Sequence, residues 1–287
     1  MTTDRWASWL LRRRDGGSTE LRERFAAELI AFRDGVLDRA AIAEGDVVLD
    51  VGTGTGLIGL GALDLVGPAG RVVFSDVSAA LLDECRRLAD PDRSSFVEAA
   101  ADDLGPIADA SVDVVTTRSV LIYVARKREA FAELFRVLRP GGRLSIFEPI
   151  NSFPVRAGAD HLFGLDLTPV ADLAAKVRAQ FTPGAPDGGR PMTDFDERDL
   201  LGWAREAGFT RVTLDYRAEV DVPGPPVTDW AALKRTSPNP LAPTYGEAIE
   251  AALTPAERER LDAHVERLAG TPTRHTMAKA YLSATRA

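Results

Sequence analysis

The sequence predicts an α/β fold, a doubly wound and mainly parallel sheet carrying a helical cap built from the N-terminus and two insertions. Three observations predict it. Apolar, strand-like runs alternate with helix-like periodicity from residue 46 to residue 150. A turn carrying three glycines separates the first run from the helix after it. Past Pro149 the alternation breaks, resumes near 193–220 and breaks again, so the segments 150–192 and 228–272 fall outside the sheet.

Between Ser18 and Ala43, Leu21, Phe25, Leu29, Ile30, Phe32 and Leu37 recur at helical spacing and predict one or two amphipathic helices. "DVVLDVG" is a buried strand and "GLIGLGALDLV" the helix after it. Gly67, Pro68 and Gly70 turn the chain into the second strand, "RVVFSDV". Ser78 caps the next helix, "AALLDECRRLAD", which Pro91 ends. "SSFVEAA" is a short third strand, and "SVDVVTTRSVLIYV" a β-rich fourth. "KREAFAELFRVL" is a helix, and "RPGG" turns it into the fifth strand, "RLSIFEP". In the first insertion only "DLAAKVRAQF" reads as a helix, ahead of the Gly/Pro-rich "TPGAPDGGRPM". "TDFDERDLLGWAREAGF" has an Asp/Thr start and Gly208 at its end, and leads into the strand "RVTLDYRAEV". In the second insertion Thr254-Pro-Ala-Glu257 is a capping box opening "AERERLDAHVERLAG". "HTMAKAYLSAT" is the last strand.

The chain of 287 residues can bury a large core, and its charged (27%) and hydrophobic (45%) fractions are ordinary for a globular protein. A net charge of −8 argues against a nucleic-acid backbone as the main partner, which requires a basic surface. "MTTDRWASWLLRRRDGG" puts charges on both sides of a very short apolar stretch, unlike a secretory signal, and no run is long enough to span a bilayer. The lone cysteine, Cys85, excludes an internal disulfide. The expectation is a cytoplasmic protein with no nucleic-acid or membrane partner and no metal site. The preference for Arg over Lys reads as the composition of a GC-rich bacterial genome.

Gly52, Gly54 and Gly56 follow the first strand, and the helix opens at once. Such a loop lets backbone approach a ligand closely because no Cβ intervenes. The dinucleotide fingerprint needs its third glycine at position 57, which is Leu, so a ligand without a pyrophosphate is expected. Asp76 ends the second strand, where an acid can accept ribose hydroxyls.

Asp50-Val-Gly52-Thr-Gly54-Thr-Gly56 resembles the first motif of the class I S-adenosylmethionine (SAM)-dependent methyltransferases. "DASVDVVTTRSVLIYV" resembles their fourth motif and "FRVLRPGGRLSIFEP" their fifth. The resemblance implies SAM as cofactor, contacted at Asp50, Gly52, Thr53, Gly54, Gly56, Asp76, Val77, Ala101, Asp102, Arg118 and Ser119. Arg118 and Ser119 would lie beside the methionine part. The chain departs from the family after the third strand, where Ala100 stands at the usual acid position. Asp102 is either the substitute that reaches adenine or part of a solvated Asp pair. The resemblance also completes the fold class: seven strands, the last antiparallel. The boundaries expected are an N-terminal helical lid (1–45), a SAM-binding core (46–150), a cap insertion (151–195), a core continuation (196–218), a second helical insertion (219–273) and a last core strand (274–287).

Methyl transfer is an in-line displacement governed largely by positioning, although an O or N acceptor can also require a base. The candidates are His161, Tyr123 and Glu148, with Asp160 beside the histidine in sequence. A neutral imidazole suits proton removal near pH 7. Each has a bland alternative: Tyr123 packs, Glu148 structures its loop, and His161 packs in the lid. His264 is expected to be solvated on its charged helix, and His275 to be structural. One cysteine is too few to hold arsenite, and no Asn-Pro-Pro-Tyr or Asp-Pro-Pro-Tyr run marks an amino-nitrogen base methylase. The expected activity is methyl transfer to O, N or C of a small organic molecule of the bacterial secondary-metabolite kind. The alternative is a SAM-binding enzyme that catalyses a cyclisation or rearrangement without methylating. Trp230, Leu233 and Leu241 are too apolar for a solvated loop, so part of 228–272 either caps the pocket or joins a homodimer.

Overall fold

The structure is a computed structural model and describes residues 4–157, 162–181 and 190–287. It opens with α1 (Arg5–Ser8), a π-helical turn (Trp9–Arg13) and the long α2 (Thr19–Ala40). Then come β1 (Val47–Val51), α3 (Leu57–Leu65), β2 (Arg71–Asp76), α4 (Ala79–Leu88) and β3 (Ser94–Glu98). β4 (Val112–Arg118) is followed by a 3-10 turn (Leu121–Tyr123), α5 (Lys127–Val137) and β5 (Leu138–Pro149). After α6 (Ser152–Arg156) and α7 (Ala171–Ala179), α8 (Glu197–Ala207) leads to the strand β6 (Phe209–Gly224). The remainder is α9 (Trp230–Arg235), α10 (Tyr245–Ala252), α11 (Pro255–Arg267) and β7 (Thr273–Arg286).

The seven strands form one sheet in the order β3-β2-β1-β4-β5-β7-β6. β1 to β5 pair in parallel, and β7 enters antiparallel beside β5, as the sequence predicts. Alternate residues of these strands face opposite sides. Leu49, Val51, Val115, Leu144 and Ile146 pack with Phe131 and Leu134 of α5 and Leu200 and Trp203 of α8. Val48, Val72, Phe74, Val114 and Phe147 pack with Val36 and Leu37 of α2, Ile58 of α3 and Leu82 and Cys85 of α4. Both faces of the sheet are therefore covered, which explains why its central strands are almost unbroken apolar runs.

Local chemistry sets the helix ends. Ser78 caps α4 by accepting the Leu81 N–H at 3.1 Å. Asp196 and Asp199 form a reciprocal capping box on α8, which Gly208 ends at φ +102°. The expected box at Thr254 and Glu257 opens α11. The "RPGG" turn is absorbed as an irregularity at the start of β5: Val112 pairs with Leu138 but Val114 with Arg143, so residues 139–142 stand out of register.

The chain falls into two compact units. One contains the sheet and its helices and draws on 27–153, 189–217 and 278–287. The other is mainly helical and draws on 1–26, 154–188 and 218–277. Residues 27–40 thus belong with the sheet and not with an N-terminal lid ending at 45, because Val36, Leu37 and Ala40 are buried among sheet residues. The helical unit has its own core, in which Leu173, Ala174 and Val177 of α7 meet Ala248 and Ile249 of α10 and Leu261 and Val265 of α11. α9 and α10 carry no strong sequence periodicity, being only 6 and 8 residues long. His264, expected in solvent, is 5% exposed and its Nε2 lies 2.8 Å from the Asp166 carbonyl oxygen. Its position on α11 faces that core. Among the described residues no helix is long and apolar enough to cross a membrane, and no cluster of His, Cys, Asp or Glu could hold a metal.

Candidate cofactor and methyl-transfer site

The site is built at the carboxyl ends of β1, β2, β4 and β5, which are neighbours in the sheet. β1 ends in a buried carboxylate. Asp50 Oδ2 accepts the Thr53 hydroxyl at 2.6 Å and the Gly59 N–H at 2.9 Å, while Oδ1 accepts the Thr116 hydroxyl at 2.9 Å. Burial pushes its pKa up to about 6, against the pull of these bonds. With 1% exposure, Asp50 braces the loop from beneath and does not present its oxygens to a ligand, which corrects its assignment as a contact residue.

Above it, Gly52, Gly54 and Gly56 take φ of +65°, +58° and +87°, in the region that glycine enters without a steric cost. The loop is tied down at several points. The Thr53 N–H donates to Ser75 O at 2.9 Å, and the Gly54 N–H donates to Asp76 Oδ2 at 2.8 Å. Asp76 Oδ1 accepts the Ser78 N–H at 2.9 Å. Beside this carboxylate Val77 is 46% exposed, an apolar surface of the kind a base can lie against. Cys85 sits below the loop, its Sγ 3.4 Å from Gly54 O. Burial pushes its pKa up to about 12, so it remains a thiol.

After β3, Ala101 is buried and Asp102 pairs with Arg126 at 2.9 Å. Asp102 is therefore neither a solvated acid nor an unengaged one. At the end of β4, Arg118 lies over the Phe32 ring at 5.6 Å, and Ser119 turns the chain at φ +55° while its N–H donates to Phe147 O at 2.8 Å. A non-glycine residue in this region costs about 1–2 kcal/mol, which the surrounding bonds must offset. Glu148 does much of this: Oε1 accepts the Val120 N–H at 2.8 Å and the Leu121 N–H at 2.9 Å, and Oε2 accepts the Ile122 N–H at 3.3 Å. It is 0% exposed, and burial pushes its pKa up to about 7.

Glu148 is thus a brace, and its assignment as a base that reaches an acceptor is corrected. Tyr123 is half-buried, and burial raises its pKa, so the phenol is protonated at neutral pH. Asp160 and His161 lie outside the described residues. The structure brings the glycine loop, Asp76, Val77, Arg118 and Ser119 to one end of one sheet. Sequence reasoning missed Thr116, Gly59 and Val120. The pair Thr116-Thr117 in an apolar strand was a signal that something polar sits beside it; Val120 carried none.

This arrangement fits SAM on its own chemistry: bare backbone at a strand end, and a carboxylate and an exposed apolar side chain on the adjoining strand. A family model described as "Methyltransferase domain" matches residues 49–146. The ubiquinone/menaquinone biosynthesis C-methyltransferase UbiE of Pseudomonas paraeruginosa is 34% identical over 215 residues, 69% of this chain and 74% of that protein. The arsenite methyltransferase of Halobacterium salinarum is 35% identical over 117 residues, but this match covers 40% of the chain and only 30% of that protein's length. Among solved structures, geranyl diphosphate C-methyltransferase from Streptomyces coelicolor, in complex with Mg2+, geranyl diphosphate and S-adenosyl-L-homocysteine, aligns at a TM-score of 0.52 with 18% identity, over 95% of this chain and 86% of that one.

Proposed function

This chain belongs to the class I SAM-dependent methyltransferases, and from that membership we propose that it methylates O, N or C of a small organic molecule, in bacterial secondary metabolism. The observation that carries the reading is the hydrogen bond joining Asp76 to Gly54, which unites an acid suited to a ribose with a loop whose backbone is bare. A small acceptor is supported by the relative named for C-methylation in quinone biosynthesis, and by a net charge of −8, which disfavours nucleic acid. The single cysteine speaks against arsenite, and the resemblance to an arsenite enzyme stops short of most of that protein.

When bound, SAM would supply an electrophilic methyl group for transfer to the acceptor, with S-adenosylhomocysteine as the leaving product. Gly52, Gly54 and Gly56 would hold it through backbone, Asp76 through the ribose hydroxyls and Val77 through an adenine face. Arg118 and Ser119, at the next strand end, would flank the methionine part. His161, in the first insertion, is proposed to take the acceptor's proton where one must leave.

The test begins with thermal shifts for SAM, S-adenosylhomocysteine and NAD. SAM and its product should stabilise the protein, and NAD should not. Methyl-labelled SAM is then offered with phenols, amines and enolisable carbon acids. Label in an acceptor together with an equal amount of S-adenosylhomocysteine supports methyl transfer. Acceptor conversion with SAM unconsumed would establish the non-methylating alternative.

A further inference from the structure

We propose that Glu148 is a positioning residue: by gathering the backbone of residues 120–122 it seats Val120 against Gly52, and so sets the shape of the glycine loop that receives the cofactor. This rests on the reading of the chain as a SAM-dependent enzyme.

Three successive N–H groups cannot converge on one side chain while a strand continues. The turn at Ser119, with φ +55°, breaks the strand and aims the amides of Val120, Leu121 and Ile122 at the two oxygens of Glu148. β5 therefore holds this turn twice, through the Phe147 carbonyl that accepts the Ser119 N–H and through the side chain one residue later. The carboxyl oxygens of Glu148 accept all three N–H groups, and in a fully buried setting water does not replace these bonds.

The turn so fixed carries Val120 onto the glycine loop. A Cβ placed on Gly52 would lie 2.3 Å from Val120 Cγ2, nearer than atoms can approach. Gly52 and Val120 are thus fitted to each other, and the glycine at 52 is required by the position of the turn as much as by any ligand. Asp50 holds the same loop through Thr53, and the first turn of α3 that follows it through Gly59. Two buried carboxylates on different strands clamp two loops that meet at Gly52 and Val120. A shift of the 120–122 backbone would remove the wall against which Gly52 rests.

The experiment uses the whole chain. Amide hydrogen exchange at 120–122 is measured without ligand in wild type and Glu148→Gln, and SAM affinity is measured by calorimetry in wild type, Glu148→Gln and Val120→Ala. Glu148→Gln should speed exchange at 120–122 by at least about tenfold while β4 and β5 keep their rates, and should weaken SAM by roughly ten- to fiftyfold. Val120→Ala should weaken SAM by several-fold with the 120–122 amides still protected. Retained protection in Glu148→Gln overturns the proposal, and so does unchanged SAM affinity in either variant. Should Glu148→Gln fail to fold, Val120→Ala, which leaves the brace in place, decides by its SAM affinity alone. A wild-type chain that ignores SAM would sink the cofactor reading, while the exchange result would still report on the brace.

Discussion

Asp76 Oδ2 accepts the Gly54 N–H at 2.8 Å, so the end of β2 is tied to the middle of the loop that follows β1. The register of the sheet allows this: Val51 pairs with Ser75, so the two chains leave the sheet side by side. A carboxylate accepts at more than two positions, and the same group can therefore shape the loop and receive a ribose. Removing it by Asp76→Ala takes away both functions. SAM binding should weaken by about 1.5–3 kcal/mol, as for hydrogen bonds to a charged group. Calorimetry on the folded variant checks this, and unchanged affinity would detach Asp76 from the cofactor.

Gly52 and Gly54 should be intolerant for different reasons. At Gly54, φ +58° forces a β-branched side chain into a conformation it avoids, so Gly54→Val strains the loop whatever space surrounds it. At Gly52 the obstacle is Val120, against which even a methyl group collides. Each substitution should cost at least about 1–3 kcal/mol of stability, or roughly 2–4 °C in melting temperature per kcal/mol in a chain of this size. Each should also abolish measurable SAM binding. Scanning calorimetry and a binding titration read the two effects separately, and a Gly52→Ala protein that melts and binds like wild type would contradict the close contact with Val120.

Asp50 and Glu148 should give the protein a stability that falls as pH rises toward neutrality. Burial raises their pKa values to about 6 and about 7, whereas carboxylates of the unfolded chain titrate near pH 4. From about pH 4 to 7 the folded state therefore holds more protons than the unfolded one. Their contribution is fully present below the unfolded pKa and is lost as pH rises through 6 and 7. It amounts to about 2–3 kcal/mol per group at most. Carboxylates held low by ion pairs, such as Glu133 beside Arg136 and Glu257 beside Lys176, act below this window. Melting temperature should accordingly fall between about pH 4.5 and 7 and level off above, and Asp50→Asn or Glu148→Gln should flatten the slope whatever its starting level. An equally steep slope in both variants would rule these two groups out as its source.

The sheet was legible because its signals are local. Apolar runs, Ser78, the Asp196 and Thr254 caps and Gly208 each fix an element from within a few residues. The glycine loop and Asp76 were legible because backbone shape and strand order together limit what can stand there. Glu148 was not, because its place at the end of a strand fits a base and a brace equally well, and only three amides from a turn 28 residues earlier decide between them. Asp102 was obscured in the same way by its pairing with Arg126, 24 residues on. The lid boundary at 45 failed because α2 is one unbroken helix whose residues 27–40 belong with the sheet. Periodicity marks a helix but does not say what its face meets.

With Glu148 enclosed and the Tyr123 phenol held protonated by burial, the base proposed above for an O or N acceptor is His161, an imidazole being the side chain suited to take a proton near neutral pH. His161→Ala should lower turnover by about 10²–10⁴ while leaving SAM affinity intact, since a base acts on the acceptor and not on the cofactor. The rate of wild type should rise with pH through a limb that the variant lacks. Tyr123→Phe should keep that limb, because a protonated phenol has no part in it. Turnover of His161→Ala near the wild-type level would remove the histidine and leave positioning of the acceptor against the methyl carbon to carry the reaction. A C-methylation whose carbon needs no separate base would give that result, and the same labelled-SAM assay would show it by the position of the methyl group in the product.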